Sequence, residues 1–346
     1  MKTQLVKIDE DNIDIDKLNS LAQIIEDKGL VAIPTETVYG LACNGLDQDA
    51  IKKVFQAKNR PMDNPLILHI ADIKDLYPLV REVRDEDIGI LKELWPGPLT
   101  AIFKKSDLIP DGVSAGLDTV AIRLPNKKLT REFIKLCKRP LAAPSANLST
   151  KPSPTNAMDV YEDMQGRIDA IIDGGASTIG LESTVVDLSE DRPTILRPGY
   201  YTKEILAKYW ERIDYDLALK NKDQVPKSPG QKYKHYAPKA KVEVYVGSSD
   251  KFREKLAQIF KNRDNKIGLM VFEEDGDFQE ADHLIKMGTM SDLNTMAKVL
   301  FTALRDMDHK GMDLVIVHGV EEKSFGLSIM NRLKKAASGN VYKLEE

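Results

Sequence analysis

The segment Pro34-Thr35-Glu36-Thr37-Val38-Tyr39-Gly40-Leu41 follows directly on the apolar run Leu30-Val31-Ala32-Ile33. A short apolar run of this kind predicts a buried β-strand. The hydroxyl-rich segment after it, closed by a glycine, predicts a turn at the end of that strand. Polar side chains at the end of a buried strand are a common place for a ligand to bind. The sequence therefore predicts a ligand site at this turn.

The composition is typical of a globular protein with more than one domain. The chain has 346 residues, which exceeds the usual limit for a single hydrophobic core, so we expect two domains. Hydrophobic residues at 42% and charged residues at 30% exclude a disordered chain. The net charge of -4 and the pI near 5.9 argue against a long surface that binds nucleic-acid phosphates. Phosphate recognition would therefore depend on local basic clusters.

Cysteine usage and the N-terminal sequence predict a cytoplasmic protein. The cysteines are Cys43 and Cys137, with no Cys-x-x-Cys spacing for zinc or redox chemistry, so a reducing compartment is expected. No run approaches the roughly 18 apolar residues of a membrane span. The polar start from Met1 to Asp16 has no signal-peptide core.

The first part of the chain mixes close-set strands with separated helices. Asp14 to Lys28 predicts a helix with its apolar residues on one face and Gly29 placed to end it. The mixture predicts an α/β domain with a mixed, twisted sheet that ends near Trp210. Further helical spacing occurs around Ile51–Phe55, Ile88–Leu94 and Phe133–Cys137. The predicted strands are Leu30–Ile33, Leu66–Ile70, Leu99–Phe103, Val120–Leu124, Ala170–Asp173, Thr184–Leu188 and Thr194–Arg197.

A linker and a second domain follow. Residues 211–241 have few apolar side chains and include the proline-flanked segment 226–238, which indicates a linker that is either a plain tether or, given its Lys, His and Tyr content, functional. Residues 242–346 alternate strands with helices, which predicts a smaller doubly wound, Rossmann-like α/β domain. This part contains no Gly-x-Gly-x-x-Gly, so no dinucleotide is expected. Its predicted strands are Val242–Val246, Ile267–Phe272 and Leu314–Val317, and its predicted helices are Lys251–Phe260, Leu293–Met307 and Phe325–Leu333.

Well-known catalytic signatures are absent from the sequence. There is no Gly-x4-Gly-Lys-Ser/Thr phosphate loop, no His-Glu-x-x-His and no Gly-x-Ser-x-Gly. We therefore expect no covalent nucleophile, and a zinc mechanism is disfavoured. Clustered hydroxyls, Arg and Lys side chains, and glycine turns remain, and such groups act by positioning substrates and stabilising charge.

Several of these polar residues have more than one interpretation. Lys58 and Arg60 follow an amphipathic helix and either form a solvated helix end or bind phosphates. His69 ends a strand and is either a packed, hydrogen-bonded side chain or a ligand-binding residue. Thr119 and Arg123 lie four positions apart on a strand and so face the same side of the sheet. Arg123 needs a partner if it is buried, and an internal carboxylate is one candidate.

Together, the segments 34–41, 55–66, 144–147 and 228–238 resemble the threonylcarbamoyl-AMP synthase family, the YrdC-like enzymes, in its longer two-domain form. The resemblance covers nearly the whole chain. It implies a YrdC-like catalytic domain over 1–210, a linker with an active-site loop over 211–241, and a C-terminal Rossmann-like domain over 242–346.

The resemblance also implies the site residues. L-Threonine would be bound by Thr37, His69, Arg123 and Ser183, with Arg123 on the threonine carboxylate in a forked pair. Where some relatives carry a hydroxyl residue before the Pro144 turn, this chain has Ala143. The loop 228–238 would fold over the active site. ATP would be contacted by Lys58, Arg60, Asn64, Thr119, Ser145, Ser153, Arg197 and His235.

The implied activity is synthesis of L-threonylcarbamoyladenylate from L-threonine, bicarbonate or CO2, and ATP, with Mg2+ accompanying ATP and pyrophosphate released. The product would serve a downstream transferase that modifies tRNA, and direct tRNA binding would be weak or absent. One alternative is a carbamoyl-adenylate-forming enzyme, although related proteins of that kind carry zinc-type cysteine pairs that this chain lacks. Another is a non-catalytic RNA-binding module, which the acidic net charge disfavours.

Overall fold

The computed structural model describes residues 2–217 and 236–345, which divide into two units. Within those ranges the first unit comprises 2–149, 153–178 and 182–217, and the second comprises 150–152, 179–181 and 236–345. The first unit thus extends beyond Trp210, where the sequence analysis placed the end of the domain. His235 lies outside the described residues, as does most of the loop 228–238.

The first helix illustrates how local sequence sets element boundaries in the first unit. Helix α1 (Ile15–Glu26) begins where the Asp14 side chain accepts a hydrogen bond from the Lys17 N–H. It ends before Lys28, which adopts a left-handed φ of 60°. The other helices of this unit are α2 (Gln48–Lys58), α3 (Asp85–Leu94), α4 (Asp111–Ser114), α5 (Lys128–Cys137), α6 (Ala157–Met164) and α7 (Lys203–Leu206).

Strands of the first unit form a mixed sheet, as predicted. Within the described residues eleven strands pair in the order β1-β8-β2-β3-β7-β4-β6-β5-β9-β10-β11. Parallel and antiparallel neighbours alternate irregularly along this order, for example β4 parallel and β5 antiparallel to β6. The strands are β1 (Gln4–Lys7), β2 (Val31–Ile33), β3 (Gly40–Asn44), β4 (Ile67–His69), β5 (Leu99–Lys104), β6 (Thr119–Arg123), β7 (Leu141–Ala142), β8 (Ala170–Asp173), β9 (Thr184–Asp187), β10 (Thr194–Arg197) and β11 (Asp214–Tyr215).

The two faces of this sheet bury different sets of side chains. One face carries the large core that includes Leu68, Ile122 and Phe103. On the other face, α1 and α5 pack over β2 and β3 and bury a second apolar cluster with Val31 and Phe133. The strands β4, β6, β5, β9 and β10 continue this second face, and the polar residues described below lie on them.

The second unit is a parallel α/β sheet, which confirms the predicted fold class. Within the described residues its strands pair in parallel in the order β14-β13-β15-β12-β16. The segments 150–152 and 179–181 belong to this unit. The Arg305 guanidinium donates to the Pro152 carbonyl over 2.6 Å. The strands are β12 (Lys241–Val246), β13 (Ile267–Val271), β14 (His283–Lys286), β15 (Leu314–Gly319) and β16 (Val341–Lys343), and the helices are α8 (Ser249–Lys261), α9 (Leu293–His309) and α10 (Phe325–Ala336).

The turn after β2 differs in length from the prediction. Gly40 was predicted to close the turn, but it is the first residue of β3, which pairs antiparallel with β2. The turn is therefore shorter and spans Pro34 to Tyr39. Among the described residues, no helix is both long enough and apolar enough to cross a membrane.

Candidate active site

The turn between β2 and β3 is held by its own hydroxyl groups. The Thr35 hydroxyl donates to the Val38 carbonyl over 2.6 Å and accepts from the Thr37 and Val38 N–H groups over 3.2 and 3.3 Å. This is the local side-chain to backbone bonding by which threonine fixes a turn. The Ser177 hydroxyl braces the turn from outside by donating to the Thr35 carbonyl over 2.9 Å. The turn therefore presents Glu36 and Thr37 from a rigid backbone.

A row of mostly polar residues crosses five neighbouring strands. In the strand register His69 of β4 pairs with Arg123 of β6, and Arg123 pairs with Thr100 of β5. Thr100 pairs with Val185 of β9, which pairs with Arg197 of β10. Register partners point to the same face of a sheet. Two cations, an imidazole and a hydroxyl therefore lie side by side on one face.

Arg123 is the centre of this row and is almost fully buried at 4% exposure. Its guanidinium forms an ion pair with the Glu36 carboxylate at 2.6 Å and donates to the Thr37 hydroxyl over 2.7 Å. A longer bond of 3.4 Å joins its Nε to the Gly97 carbonyl. The internal carboxylate considered in the sequence analysis is thus present, and it is Glu36. Among the described residues, these contacts use three of the five N–H groups of a guanidinium, one on each nitrogen, so one N–H on each terminal nitrogen remains available.

His69 is a neutral imidazole beside this cation. Burial, and secondarily the charge of Arg123, lowers the pKa of His69 from 6.5 to about 3. Its Nδ1 lies 3.3 Å from the Ile67 carbonyl. An uncharged ring at this place borders the site without repelling Arg123.

Ser183 joins the row through two hydrogen bonds. Its hydroxyl lies 2.7 Å from the Thr100 hydroxyl, and the Arg197 guanidinium donates to the same oxygen over 3.0 Å. Arg197 also donates from Nε to the Ser183 carbonyl over 3.0 Å. Gly199 allows this close packing, since a Cβ there would lie 2.3 Å from the Thr184 nitrogen. Four predicted threonine-site residues, Thr37, His69, Arg123 and Ser183, are therefore brought together, and Arg197 lies with them.

Lys58 and Ser145 form a second cluster of predicted site residues. Lys58 is the last residue of α2, and its ammonium donates to the carbonyls of Ser145 and of Asn147, the latter over 2.7 Å. The Ser145 hydroxyl in turn donates to the Asn147 side-chain oxygen over 2.6 Å. Burial, together with the nearby charge of Arg60, holds the pKa of Lys58 well below its ordinary value. This cluster adjoins the first one, because the Ala146 N–H donates to the Tyr39 carbonyl over 2.8 Å.

The remaining predicted ATP residues are more dispersed. The Ser153 hydroxyl donates to the Glu182 carboxylate over 2.7 Å. Glu182 directly precedes Ser183 in the sequence. Arg60 follows the left-handed Asn59, and its guanidinium carbon lies 5.9 Å from the centre of the Phe55 ring. Asn64 is buried, and within the described part of the chain its Nδ2 has no hydrogen-bond partner. Thr119 begins β6, about 13 Å along the strand from Arg123 at about 3.3 Å per residue.

Sequence reasoning missed Glu36, Thr100, Asn147 and Glu182 as members of these clusters. Glu36 stands between two threonines of the quoted motif, so its position was a usable signal. Thr100 carries a hydroxyl within the apolar strand β5, where only the register shows that it faces Arg123.

A separate apolar cluster, formed by Ile67, Ile102, Ala121, Val185 and Leu196, adjoins the row. In the ranges 2–217 and 236–345 no group of three or more His, Cys, Asp or Glu side chains is arranged to hold a metal ion.

Comparisons with known proteins cover most of the chain. The family model for Sua5, YciO and YrdC proteins, described as "Telomere recombination", matches residues 23–199. A second model, described as "Threonylcarbamoyl-AMP synthase, C-terminal domain", matches residues 201–338. The chain therefore belongs to the threonylcarbamoyl-AMP synthase family of enzymes, in its two-domain form.

Individual relatives support the same assignment. The threonylcarbamoyl-AMP synthase of Pyrococcus abyssi is 45% identical over 95% of this chain and 96% of its own length. That of Bacillus subtilis is 43% identical over 92% of both chains. The crystal structure of P. abyssi Sua5 complexed with L-threonine superimposes with a TM-score of 0.93 at 44% identity, covering 99% of this chain and 100% of that one.

Proposed function

We propose that this protein synthesises L-threonylcarbamoyladenylate from L-threonine, bicarbonate or CO2, and ATP. One observation carries the proposal: a buried guanidinium, Arg123, lies among Thr37, His69, Thr100 and Ser183 at the site of the family's motif. This arrangement suits a small zwitterion with a carboxylate and a hydroxyl, because the guanidinium pairs with the carboxylate and the hydroxyls with the alcohol. It is supported by membership of the family and by the relatives' names.

The first chemical step is formation of a carbamate on the amine of threonine. The ammonium form and bicarbonate give the carbamate, one water and one proton. A free carbamate decomposes readily, so a site that excludes water protects it. Within the site, Arg123 and Thr37 hold the carboxylate end of the amino acid while Ser183 and neutral His69 border the rest.

The second step is adenylation. A carbamate oxygen attacks the α-phosphorus of ATP, and the bond to pyrophosphate breaks in line with the new bond. ATP would enter as its Mg2+ complex, and the ion would offset charge on the leaving pyrophosphate. No protein nucleophile takes part, so the rate depends on positioning and on charge stabilisation. Arg60, Asn64, Thr119, Ser145, Ser153, Arg197 and His235 are proposed to contact ATP, and Lys58 to do so directly or through the backbone of 145–147.

The product is an activated threonylcarbamoyl group for tRNA. We propose that a separate transferase moves this group to the adenine beside the anticodon, because the acyl–phosphate anhydride is a good donor to an amine. Direct binding of tRNA by this protein is not required.

An exchange assay tests the proposal. Labelled pyrophosphate should enter ATP only when L-threonine and bicarbonate are both present. Exchange that requires carbamoyl phosphate in place of threonine would indicate carbamoyl-adenylate formation instead, and exchange under no condition would indicate a binding module.

A further inference from the structure

The Glu36 carboxylate has one oxygen that receives no hydrogen bond from the described residues. Its Oε1 accepts the bond from Arg123, and its side chain is 8% exposed. Its Oε2 is buried, and no hydrogen-bond donor of the described residues reaches it. A buried acceptor without a hydrogen-bond donor costs folding free energy, and the cost is greater when the acceptor belongs to a charged group. Such atoms in native proteins therefore call for an explanation.

Among the described residues, the hydrogen bonds near Glu36 involve atoms other than Oε2. The other hydrogen bonds around Glu36 go elsewhere: Thr37 accepts from Arg123, and the Thr178 hydroxyl donates to the Glu36 backbone carbonyl over 3.5 Å. The hydrogen bonds of the Thr35 hydroxyl fix the turn, so moving the backbone of Glu36 away from Arg123 would break several of them. A hydrogen-bond donor on a bound ligand would satisfy Glu36 Oε2.

The chemistry of an α-amino acid supplies such a donor. In L-threonine a single carbon separates the carboxylate from the ammonium group. If the carboxylate takes the terminal N–H groups that Arg123 leaves available, the ammonium must lie against the groups that adjoin the guanidinium. Glu36 is the carboxylate paired with that guanidinium, and an ammonium has three N–H donors to place.

We propose that Glu36 Oε2 accepts a hydrogen bond from the α-ammonium of the bound amino acid, so that Glu36 and Arg123 together recognise the zwitterion. This inference rests on the proposed function, since it takes L-threonine as the ligand. Glu36 is then a specificity-determining residue that selects α-amino acids over acids of the same shape without the amino group. Its carboxylate also holds the amino-acid nitrogen in place for the later reaction with bicarbonate or CO2.

Ligand binding in the absence of ATP and bicarbonate tests the inference without catalysis. The two probes are L-threonine and (R)-3-hydroxybutyrate, which is L-threonine without its amino group, and the method is titration calorimetry. The wild type should prefer L-threonine by about 10- to 100-fold, the range expected for a hydrogen bond to a charged group. Glu36→Gln, which has the same shape but turns a donor toward the ammonium, should lose most of this preference. Its affinity for (R)-3-hydroxybutyrate should stay the same or rise, because Arg123 is less neutralised.

Glu243→Gln is the matched control, because Glu243 is a mostly buried carboxylate of the second unit that pairs with Lys241 at 2.7 Å and is not part of the candidate site. Its preference for L-threonine should equal that of the wild type. Thermal melting should show whether Glu36→Gln is folded; if it is not, Glu36→Asp carries the test, and it should weaken binding of L-threonine but not of (R)-3-hydroxybutyrate.

The possible failures are distinct. A wild type that does not bind L-threonine contradicts the proposed function itself. A wild type that binds L-threonine with no preference over (R)-3-hydroxybutyrate, or a Glu36→Gln variant that keeps the full preference, overturns the role of Glu36. Loss of the preference in Glu243→Gln as well would also overturn it, because the effect would not be specific to Glu36.

Discussion

Replacing Arg123 should damage both the stability of the first unit and its affinity for threonine, and the two effects can be separated. Arg123→Ala leaves the Glu36 carboxylate buried without its cation, which is 2.6 Å away in the intact protein. Removing one partner of a buried ion pair costs about 3–5 kcal/mol of unfolding free energy. Loss of a buried cation that binds a ligand carboxylate costs about 2–5 kcal/mol of binding, or roughly 30-fold to several thousand-fold in Kd.

The double variant Arg123→Ala/Glu36→Gln separates these two costs. It removes the buried charge that the single variant leaves unpaired, so it should recover most of the lost stability in urea unfolding. Its affinity for L-threonine, measured by calorimetry, should be no higher than in the single variant. Arg81→Ala serves as control: Arg81 forms an ion pair with Asp107 in which both side chains are mostly exposed, and such pairs contribute little. Arg123→Ala with wild-type affinity for L-threonine, or a double variant that binds it well, would refute this reasoning.

Three further predictions address other residues. Arg60→Ala and Lys58→Ala should weaken ATP binding about 10- to 100-fold and threonine binding far less. Lys53→Ala is the control, because Lys53 is an exposed lysine of the same helix as Lys58, and it should change neither affinity. Equal loss of both affinities would indicate misfolding or a shared role. His235→Ala should weaken ATP binding and leave threonine affinity intact, and an unchanged ATP affinity in calorimetry would remove His235 from the site. The third prediction concerns His69, which resists protonation in the folded protein but not in the unfolded chain, so stability falls as the pH drops from about 6.5 toward about 3. His69→Gln should lessen this fall by about 1.4 kcal/mol per pH unit in that range, and identical pH slopes of the two proteins in urea unfolding would contradict the lowered pKa.

Elements with a clear apolar pattern could be predicted from the sequence because each carries its own signal. The strands β8 and β10 begin and end where predicted, and α9 has a long apolar stripe and a capping aspartate, Asp292. Strands such as β7 and β11 are two residues long, too short for any period to show. They exist because a neighbouring strand offers hydrogen bonds, which is a property of the assembled sheet. The order of strands in a mixed sheet likewise depends on long-range pairing.

The candidate site shows the same division between local and long-range information. The motif from Pro34 to Leu41 located the turn, and the question of which carboxylate faces Arg123 stayed open because 87 positions separate Glu36 from Arg123. Thr100 lies in an apolar strand and can be recognised as a site residue only from the register with β6 and from its hydrogen bond to Ser183. Lys58 was predicted as a phosphate ligand, and the structure adds that its ammonium binds the backbone of 145–147. That prediction of direct contact with ATP remains a prediction.

The most direct test of the proposed function is mass detection of its product. The protein would be incubated with ATP, Mg2+, L-threonine and 13C-bicarbonate, and the mixture analysed at once by mass spectrometry. We predict an ion of L-threonylcarbamoyl-AMP that carries the 13C label, that forms together with pyrophosphate, and that disappears when threonine is omitted or when Arg123→Ala replaces the wild type. An adenylate that forms without threonine, or no adenylate from a folded protein that binds both ATP and threonine, would contradict the account.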